Sequence, residues 1–239
     1  MVTPIEGQIN HNAPNVMHID LNSCFATVEQ QAHPSFRGKP LVMAAYTTPS
    51  GCVVAPSIEA KKLGMKVGMT VRDAKSIYRD VIVRTPDAVL IRDVHVKFRN
   101  LFKEYSPNVV PKSIDEAVID FSGTPYLKKE NGLVEAAKEI KHRMKEEIGE
   151  WLKCSIGIST NRFLAKTAAS LKKPDGLEVI THQNLRKVYS SMQLIDVTGI
   201  NTKFQARLNA YGIYTPTEFL NATYDELQKK VFKSIIGFH

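Results

Sequence analysis

Two strands and a turn are predicted by the stretch Asn108-Val-Val-Pro-Lys-Ser-Ile-Asp-Glu-Ala-Val-Ile-Asp-Phe121. Apolar, β-branched residues on both sides favour extended backbone, whereas Pro111 and Ser113 favour a bend between them. Two adjacent acidic residues, Asp115 and Glu116, follow the predicted bend of this hairpin. Adjacent residues of a regular strand point to opposite faces, so these two carboxylates can share one site only if the chain bends there.

The elements around this hairpin are predicted to follow the order β-α-β-β-α-β. Val16-Met-His-Ile-Asp-Leu21 indicates a buried first strand, and Cys154-Ser-Ile-Gly-Ile-Ser159 indicates the last one. Apolar residues at helical spacing predict one helix over 90–105, before the hairpin, and another over 133–151, after it. This order is typical of a ferredoxin-like (split βαβ) fold of the α+β class.

A long insertion separates the first strand from the rest of that fold, over residues 24–87. It is long enough to form a small α/β domain of its own. Within it we predict helices at 25–31, 57–63 and 70–78 and strands at 41–46 and 51–55, with Asn22 or Ser23 as the cap of the first helix. A further strand is predicted at 177–180, followed by a basic, helical region to His239.

The composition favours some classes of protein and excludes others. A net charge of +8 favours polyanionic partners. Cys24, Cys52 and Cys154 lie far apart and form no CxxC or Cys/His cluster, which argues against a disulfide framework or a zinc site and fits a reducing cytosol. No apolar run approaches the roughly 20 residues of a membrane helix. Residues 1–15 lack the features of a signal peptide and indicate a loose tail.

Three carboxylates are predicted to meet at one edge of the sheet. Asp20 ends the first strand, and in a ferredoxin-like sheet the first and third strands are neighbours, which brings Asp115 and Glu116 close to it. Clustered carboxylates repel one another unless a cation compensates them. Two Mg²⁺ ions held by such oxygens would support phosphoryl or nucleotidyl transfer. The alternative is that these are solvated acids at strand ends.

Three segments together resemble one known family. They are Ile19-Asp-Leu-Asn-Ser-Cys-Phe-Ala-Thr-Val-Glu29, Ser113-Ile-Asp-Glu-Ala117, and Gly157-Ile-Ser-Thr-Asn-Arg-Phe-Leu-Ala-Lys-Thr-Ala-Ala-Ser-Leu-Lys-Lys-Pro-Asp-Gly176. In this order they closely resemble the catalytic segments of Y-family (translesion) DNA polymerases, in the branch of bacterial DNA polymerase IV. The resemblance implies a flexible tail over 1–15, a palm over 16–23 and 88–180, fingers over 24–87, and a helical thumb with a helix-hairpin-helix over 181–239.

The resemblance also implies the roles of the site residues. It implies error-prone, template-directed addition of deoxynucleotides to a primer 3′-hydroxyl, with two Mg²⁺ ions for which Mn²⁺ can substitute. Asp20, Asp115, Glu116 and the carbonyl of Leu21 would bind the metals, with the three acids catalytic. The nucleotide-binding residues would be Cys24, Phe25 (also the steric gate against ribonucleotides), Cys52 and Val54 (the roof over the base pair), Ile58, Lys61 and Lys173.

The sequence departs from the family pattern at the triphosphate. Ile58 and Lys61 stand where the family usually has a tyrosine and an arginine, and Ala55 stands where a hydroxyl residue is common. Isoleucine donates no hydrogen bond, and lysine lacks the two-pronged geometry of arginine. Asn22 and Ser23 also replace more usual acidic and aromatic residues. We therefore predict weaker nucleotide binding than in relatives.

DNA is predicted to bind along the basic C-terminal third. Arg162, Lys166 and Lys172 would coat phosphates, and Val197-Thr-Gly-Ile-Asn201 resembles a phosphate-binding hairpin with Asn201 in a left-handed position that is usually glycine. Its contacts would come from Gly199, Asn201, Thr202 and Lys203.

The resemblance also sets expectations about domains and partners. The family normally continues beyond such a thumb with a fourth, little-finger domain, so weak, salt-sensitive DNA binding is expected of this chain. The expected partners are primer-template DNA and deoxynucleoside triphosphates, with a sliding clamp left open, no membrane, a monomeric state, and a cytoplasmic, nucleoid-associated location in a bacterium.

Two other functions share parts of this pattern. A palm-fold nucleotide cyclase would use the same carboxylates on free nucleotides, but it has no need of a hairpin-helix thumb. A catalytically weak or inactive DNA-binding paralogue would fit the changes at Ile58 and Lys61, but the intact carboxylates argue against it.

Overall fold

A five-stranded sheet forms the centre of the molecule in the computed structural model, which describes residues 9–232. Its strand order is β5-β6-β1-β7-β8, and all neighbours are antiparallel except the parallel pair β7 and β8. The strands are β1 (Val16–Leu21), β5 (Asn108–Pro111), β6 (Glu116–Asp120), β7 (Cys154–Ser159) and β8 (Leu177–Val179). The predicted α+β class and the adjacency of the first and third ferredoxin-like strands are confirmed.

The two faces of this sheet pack against different helices, and the side chains of each strand point alternately to one face and the other. Met17, Ile19 and Leu21 of β1 are buried in the main apolar core. The helices on that face are α1 (Cys24–Ala32), α4 (Ala88–Lys103) and α5 (Gly132–Arg143). On the opposite face Val16 packs against Ala165 of helix α6 (Arg162–Leu171). Asp20 therefore points to the face covered by α6.

The long helix predicted over 133–151 ends earlier than expected. After α5 the chain widens into a π-helical turn, Met144–Ile148. The indole N–H of Trp151 donates to the Gln30 side-chain oxygen at 3.1 Å, and its backbone N–H donates to that of Gln31 at 2.8 Å. Trp151 is thus held against α1 by two side chains distant in sequence, rather than continuing the apolar face of a helix.

A second, three-stranded sheet forms the fingers, in the order β3-β2-β4. Its elements are β2 (Leu41–Ala44), β3 (Val53–Pro56), α2 (Ile58–Lys62), α3 (Val71–Ile77) and β4 (Ile82–Arg84). Thr70 and Asp73 form a reciprocal capping box at α3. Strand β4, which runs parallel to β2, was not predicted, because three residues at a sheet edge carry no clear alternation.

Short helices make up the described part of the thumb, and the predicted helical character is confirmed there. They are α7 (Leu185–Ser190), a 3₁₀ turn (Leu194–Asp196), α8 (Thr202–Asn209), α9 (Pro216–Asn221) and a π turn (Glu226–Phe232). Leu194, Leu208 and Leu227 are fully buried in a small core of their own. Residues 233–239 lie outside the described part of the chain. Between residues 9 and 232, no helix combines the length and apolar character needed to cross a membrane.

Residues 9–15 contact the rest of the molecule, unlike the loose tail expected over 1–15. Ile9 packs in the cluster around Ile180 and Leu185. The backbone of Asn15 donates to the carbonyl of Ser159 and accepts from the N–H of Phe121. Asn15 therefore continues the backbone pairing of β1 with the end of β7 on one side and with the residue after β6 on the other. Residues 1–8 lie outside the described part.

Candidate active site

A cleft of about 630 Å³ opens between the palm and the fingers. Its palm side contains Asp20, Asp115 and Lys173, and its fingers side contains Val54 and Lys61. The predicted residues Leu21, Cys24, Phe25 and Ile58 also line it. The structure therefore brings Asp20 and Lys173, which lie 153 positions apart in the sequence, into one cavity of the size that small-molecule sites have.

The three predicted carboxylates converge at one end of β1. Asp20 lies directly across the ladder from Glu116, the first residue of β6. Asp115 stands just outside that strand, where its carbonyl accepts from the backbone N–H of Leu21 at 2.9 Å. The N–H groups of Lys112 and Ser113 both bond to the Glu116 carbonyl. This tight turn is the predicted bend. Because Asp115 lies in it and not in the strand, its side chain need not point to the opposite face of the sheet from that of Glu116.

Two lysines compensate these acids. The ammonium of Lys173 lies 2.7 Å from Asp20 Oδ2. The ammonium of Lys166, on α6, contacts both oxygens of Glu116 at 2.8 and 3.0 Å. The predicted DNA contact Lys166 thus lies in the carboxylate cluster. Each of these two acids pairs with one cation, which offsets part of the repulsion expected of a bare cluster.

The two paired acids have pKa values shifted in opposite directions. Burial raises the pKa of Asp20, and the negative charges of Glu116 and Asp115 add to this, while Lys173 acts against it. Burial also acts to raise the pKa of Glu116, but the hydrogen bonds and charge of Lys166 outweigh it, and the pKa is lowered. Lys166 therefore holds Glu116 in its charged form, the form that binds a cation.

His18 belongs to the same cluster, although it was not among the predicted site residues. It lies two residues before Asp20 in β1, on the same face of the strand. Its Nε2 atom is 3.7 Å from Glu116 Oε2. The pKa of His18 is lowered to about 4, mainly by burial; the charge of Glu116 opposes this shift, and the charges of Lys166 and Lys173 contribute to it. The period-two pattern of β1 was the available signal for this residue.

Asn22 holds the loop that carries Lys173. Its side-chain oxygen accepts from the backbone N–H of Asp175 at 2.7 Å, and its side-chain nitrogen donates to Ser155 Oγ at 3.0 Å. Neither Asn22 nor Ser23 caps α1 through its side chain as expected, because Asn22 is used in this way and Ser23 adopts a left-handed conformation at φ 53°. Asn22, which replaces a more usual family residue, thus supports the Lys173 loop from the position directly after β1.

The N-terminus of α1 provides the floor of the cleft. Cys24 and Phe25 are its first two residues, and the first N–H groups of a helix have no acceptor within the helix. Burial raises the pKa of the Cys24 thiol to about 12, and the charges of Asp115 and Asp20 contribute. Cys24 is therefore a neutral thiol, and it offers its backbone rather than a nucleophilic sulfur.

The fingers contribute an apolar roof and two lysines, Lys61 and Lys62, to the lining of the cleft. Val54, Ala55 and Ile58 line the cleft. The walls of the cleft partly desolvate the Lys61 ammonium, which lowers its pKa, and the charge of Lys173 lowers it further. Cys52, predicted to be part of the roof, is exposed and forms an isolated bridge with Thr70, so it lies beside the cleft rather than in its lining.

The predicted DNA contacts lie on α6 and in the thumb. Arg162 is the first residue of α6, and Lys172 follows the helix and pairs with Glu178. Gly199 has φ +90°, as a tight hairpin requires. Asn201 is extended at φ −100°, not left-handed, because its side chain caps α8 by accepting from the N–H of Phe204 at 2.9 Å.

Solved structures share this fold and define the class of protein to which the chain is similar. A Y-family DNA polymerase chimera matches with a TM-score of 0.83 and 29% identity, covering 93% of this chain and 64% of that one. DinB from Sulfolobus solfataricus matches with a TM-score of 0.78 and 31% identity, covering 90% of this chain and 62% of that one. The palm, fingers and thumb arrangement is therefore that of Y-family polymerases.

Sequence comparison gives the family. DNA polymerase IV of Alkalilimnicola ehrlichii is 33% identical over 90% of this chain and 59% of the relative, and DNA polymerase IV 1 of Bacillus subtilis is 34% identical over 90% of this chain and 51% of the relative. The family model described as impB/mucB/samB matches residues 19–170. The chain belongs to the impB/mucB/samB family, and it spans between half and three fifths of the length of these relatives.

Proposed function

We propose that this chain is the catalytic part of an error-tolerant DNA polymerase that adds deoxynucleotides to a primer 3′-hydroxyl. The observation that carries the proposal is the placement of Asp20 and Asp115 in the lining of a cleft of about 630 Å³, with Glu116 beside Asp20 across the sheet. DNA polymerase IV relatives and structures of Y-family polymerases support it. The cleft provides space for a nucleotide between the carboxylates and the fingers.

Divalent cations fit the donor set of this cluster. Carboxylate oxygens suit Mg²⁺ and Mn²⁺. We propose that Asp20, Asp115, Glu116 and the carbonyl of Leu21 hold two such ions, which when bound would activate the attacking oxygen and neutralise the leaving one. Lys166 orients Glu116 by contacting both of its oxygens, and Lys173 does the same for Asp20 with one bond.

The far side of the cleft is suited to the triphosphate and the sugar. Lys173 and Lys61 supply positive charge there. The backbone N–H groups of Cys24 and Phe25, at the N-terminus of α1, would face the same space and bind a phosphate. The ring of Phe25 would lie under the sugar and collide with a 2′-hydroxyl. Val54 and Ala55 are small enough to leave room above the base for distorted template bases.

DNA binding is assigned to α6 and the thumb. Arg162 and Lys172 would contact phosphates, and the hairpin from Gly199 to Lys203 would offer backbone N–H groups to another phosphate. The structures similar to this chain include an insertion ternary complex of Dbh DNA polymerase. A monomeric state and a location at the bacterial nucleoid in the cytoplasm complete the proposal.

Primer extension on an undamaged template with Mg²⁺ tests the proposed activity. We expect the parent chain to extend the primer and Asp115→Ala to lose at least about 100-fold in rate, comparable to the loss of other groups that stabilise charge in a transition state. Asp93→Ala is the matched control, since Asp93 is an exposed acid paired with Lys97 on α4.

The same assay distinguishes the alternative functions. Cyclisation of free nucleotides without primer extension would identify a nucleotide cyclase. Template binding without nucleotide incorporation, unaffected by Asp115→Ala, would identify an inactive DNA-binding relative. Either result would overturn the proposal of a polymerase.

A further inference from the structure

One hydrogen bond joins helix α4 to the turn that carries Asp115. The Nδ1 atom of His95 lies 3.0 Å from the carbonyl oxygen of Ile114, the residue directly before Asp115. A carbonyl oxygen can only accept, so Nδ1 carries a hydrogen and donates it. His95 was not among the predicted site residues, and it lies outside the lining of the cleft.

The sheet alone does not fix the position of Asp115. The ladder between β1 and β6 ends at the pair Asp20 and Glu116, and Asp115 lies just beyond it. Ser113 Oγ donates to Asp115 Oδ1 at 2.5 Å, but this bond orients the carboxylate only within its own turn. Of the hydrogen bonds that the structure describes for residues 113–115, two come from outside the hairpin. They are the bond from the Leu21 N–H to the Asp115 carbonyl and the bond from His95.

Helix α4 is a firm support for this turn. Val94 and Phe98, which lie on either side of His95 along the helix, are buried in the main core. The cavity between α4 and the turn measures only about 10 Å³ and is lined by His95, Arg99 and Asp115 among others. That is space for about one water molecule, so the helix and the turn are in close contact.

We propose that His95 is a positioning residue for Asp115. By holding the Ile114 carbonyl it sets where the Asp115 carboxylate stands in the cleft, without touching nucleotide or cation itself. This inference rests on the proposed use of Asp115 as a metal ligand. The bond should therefore act on cation binding and on the chemical step. Nucleotide binding should depend on it little, because Lys61 and Lys173 reach the cleft from other elements.

Three substitutions separate the hydrogen bond from the space that the ring fills. His95→Asn places an amide N–H at the same distance from the backbone as Nδ1 and should remake the bond. His95→Gln carries its amide one bond farther out, and His95→Leu has no donor. His142→Leu is the control, since His142 is an exposed histidine on α5 that pairs with Glu146.

Primer extension with Mg²⁺ should divide these variants into two groups. We expect His95→Leu and His95→Gln to lower kcat by about tenfold, the lower end of the loss found for partners that support a metal ligand. The Mg²⁺ concentration for half-maximal rate should rise, while the nucleotide Michaelis constant stays within about twofold of the parent value. His95→Asn and His142→Leu should keep kcat and the Mg²⁺ dependence of the parent.

Calorimetric titration with Mn²⁺ gives a second measurement that needs neither DNA nor nucleotide. The metal-free chain should bind Mn²⁺ about tenfold more weakly after His95→Leu, and His95→Asn should restore the affinity. Asp115→Ala shows the full loss for comparison. Circular dichroism checks that each variant is folded, and His95→Gln replaces His95→Leu if the latter is not.

Three results would overturn the role of His95 and leave the proposed polymerase intact. They are parent-like kcat and Mn²⁺ affinity in His95→Leu and His95→Gln, equal losses in all three His95 variants, and a change confined to the nucleotide Michaelis constant. Failure of the parent chain to extend a primer would instead overturn the polymerase. In that case the Mn²⁺ titration still decides whether His95 positions Asp115.

Discussion

Lys61 and Ile58 are the residues at which the nucleotide cleft departs from the family pattern. Both line the cleft, and Lys61 is one of the two lysines, with Lys62, that the fingers contribute to its lining. The charge of Lys173 acts on Lys61. Its pKa is lowered by partial desolvation, so its charge is held less firmly than that of an arginine, which stays protonated. Its ammonium is also a point charge and cannot contact a phosphate through two parallel hydrogen bonds.

We therefore predict that Lys61→Arg improves nucleotide binding. The Michaelis constant for an incoming deoxynucleotide should fall by about three- to tenfold, the gain expected from one added charge-assisted hydrogen bond. Steady-state incorporation of a single nucleotide measures it, with Lys66→Arg as a control outside the cleft lining. An unchanged or increased Michaelis constant would count against the weakened triphosphate site.

Phe25 should decide the choice of sugar. It is the second residue of α1, it lines the cleft, and its ring also packs on the palm core. Phe25→Ala should reduce the preference for deoxynucleotides over ribonucleotides by about tenfold or more, because removing a steric block mainly admits the larger substrate. The ratio of kcat/KM for the two nucleotides is the measurement. Phe36→Ala, whose ring contacts His33 instead, is the control and should keep the preference.

At the scale of elements, Asn22 connects three parts of the site. It follows β1, bonds to Ser155 in β7 and accepts from the backbone N–H of Asp175, which follows Lys173 and Pro174. These bonds are buried, since Asn22 is 4% exposed. The loop that places the Lys173 ammonium beside Asp20 is thus held by a side chain 153 residues away in the sequence from Asp175.

Removing that connection should cost both stability and nucleotide binding. Asn22→Ala leaves the Asp175 N–H without its acceptor, so we expect the free energy of unfolding to fall by about 1–3 kcal/mol. Urea unfolding measures this loss, and the nucleotide Michaelis constant should rise as well. Asn15→Ala, which removes a solvent-exposed bond to Ser122, should change stability by less than about 0.5 kcal/mol. Equal losses in the two variants would contradict the special role of Asn22.

At the scale of the whole molecule, DNA affinity should depend steeply on salt. The chain carries a net charge of +8, and its proposed DNA contacts are phosphate contacts. The slope of log affinity against log salt concentration should be reduced by about 0.9 for each contact removed, as in Arg162→Ala and Lys172→Ala. Fluorescence anisotropy of a labelled primer-template duplex at several salt concentrations gives the slope.

The control for this prediction lies on the opposite face of the sheet. Lys138 on α5 pairs with Glu135 at an exposed position, away from α6 and the thumb. Lys138→Ala should leave the slope unchanged. Equal slopes for all variants would show that Arg162 and Lys172 are not in the DNA path.

Local patterns determined most of the palm. Apolar residues with period two in β1 and β7, and with helical spacing in α4, are set by neighbours in the sequence, so they predict the elements and their order. The hairpin that presents Asp115 and Glu116 was predictable for the same reason. The short parallel strand β4 and the end of α5 were not, because partners distant in sequence decide them.

The sequence by itself therefore determined the element order and the three acids, while the tertiary structure decided their surroundings. Packing of α6 on the sheet places Lys166 on Glu116, and the loop held by Asn22 places Lys173 on Asp20. The ladder between β1 and β6 brings the buried nitrogen of His18 to the same acids. Side-chain pairs separated by many residues leave no periodic signal, because their energy depends on distance and burial that exist only in the folded chain.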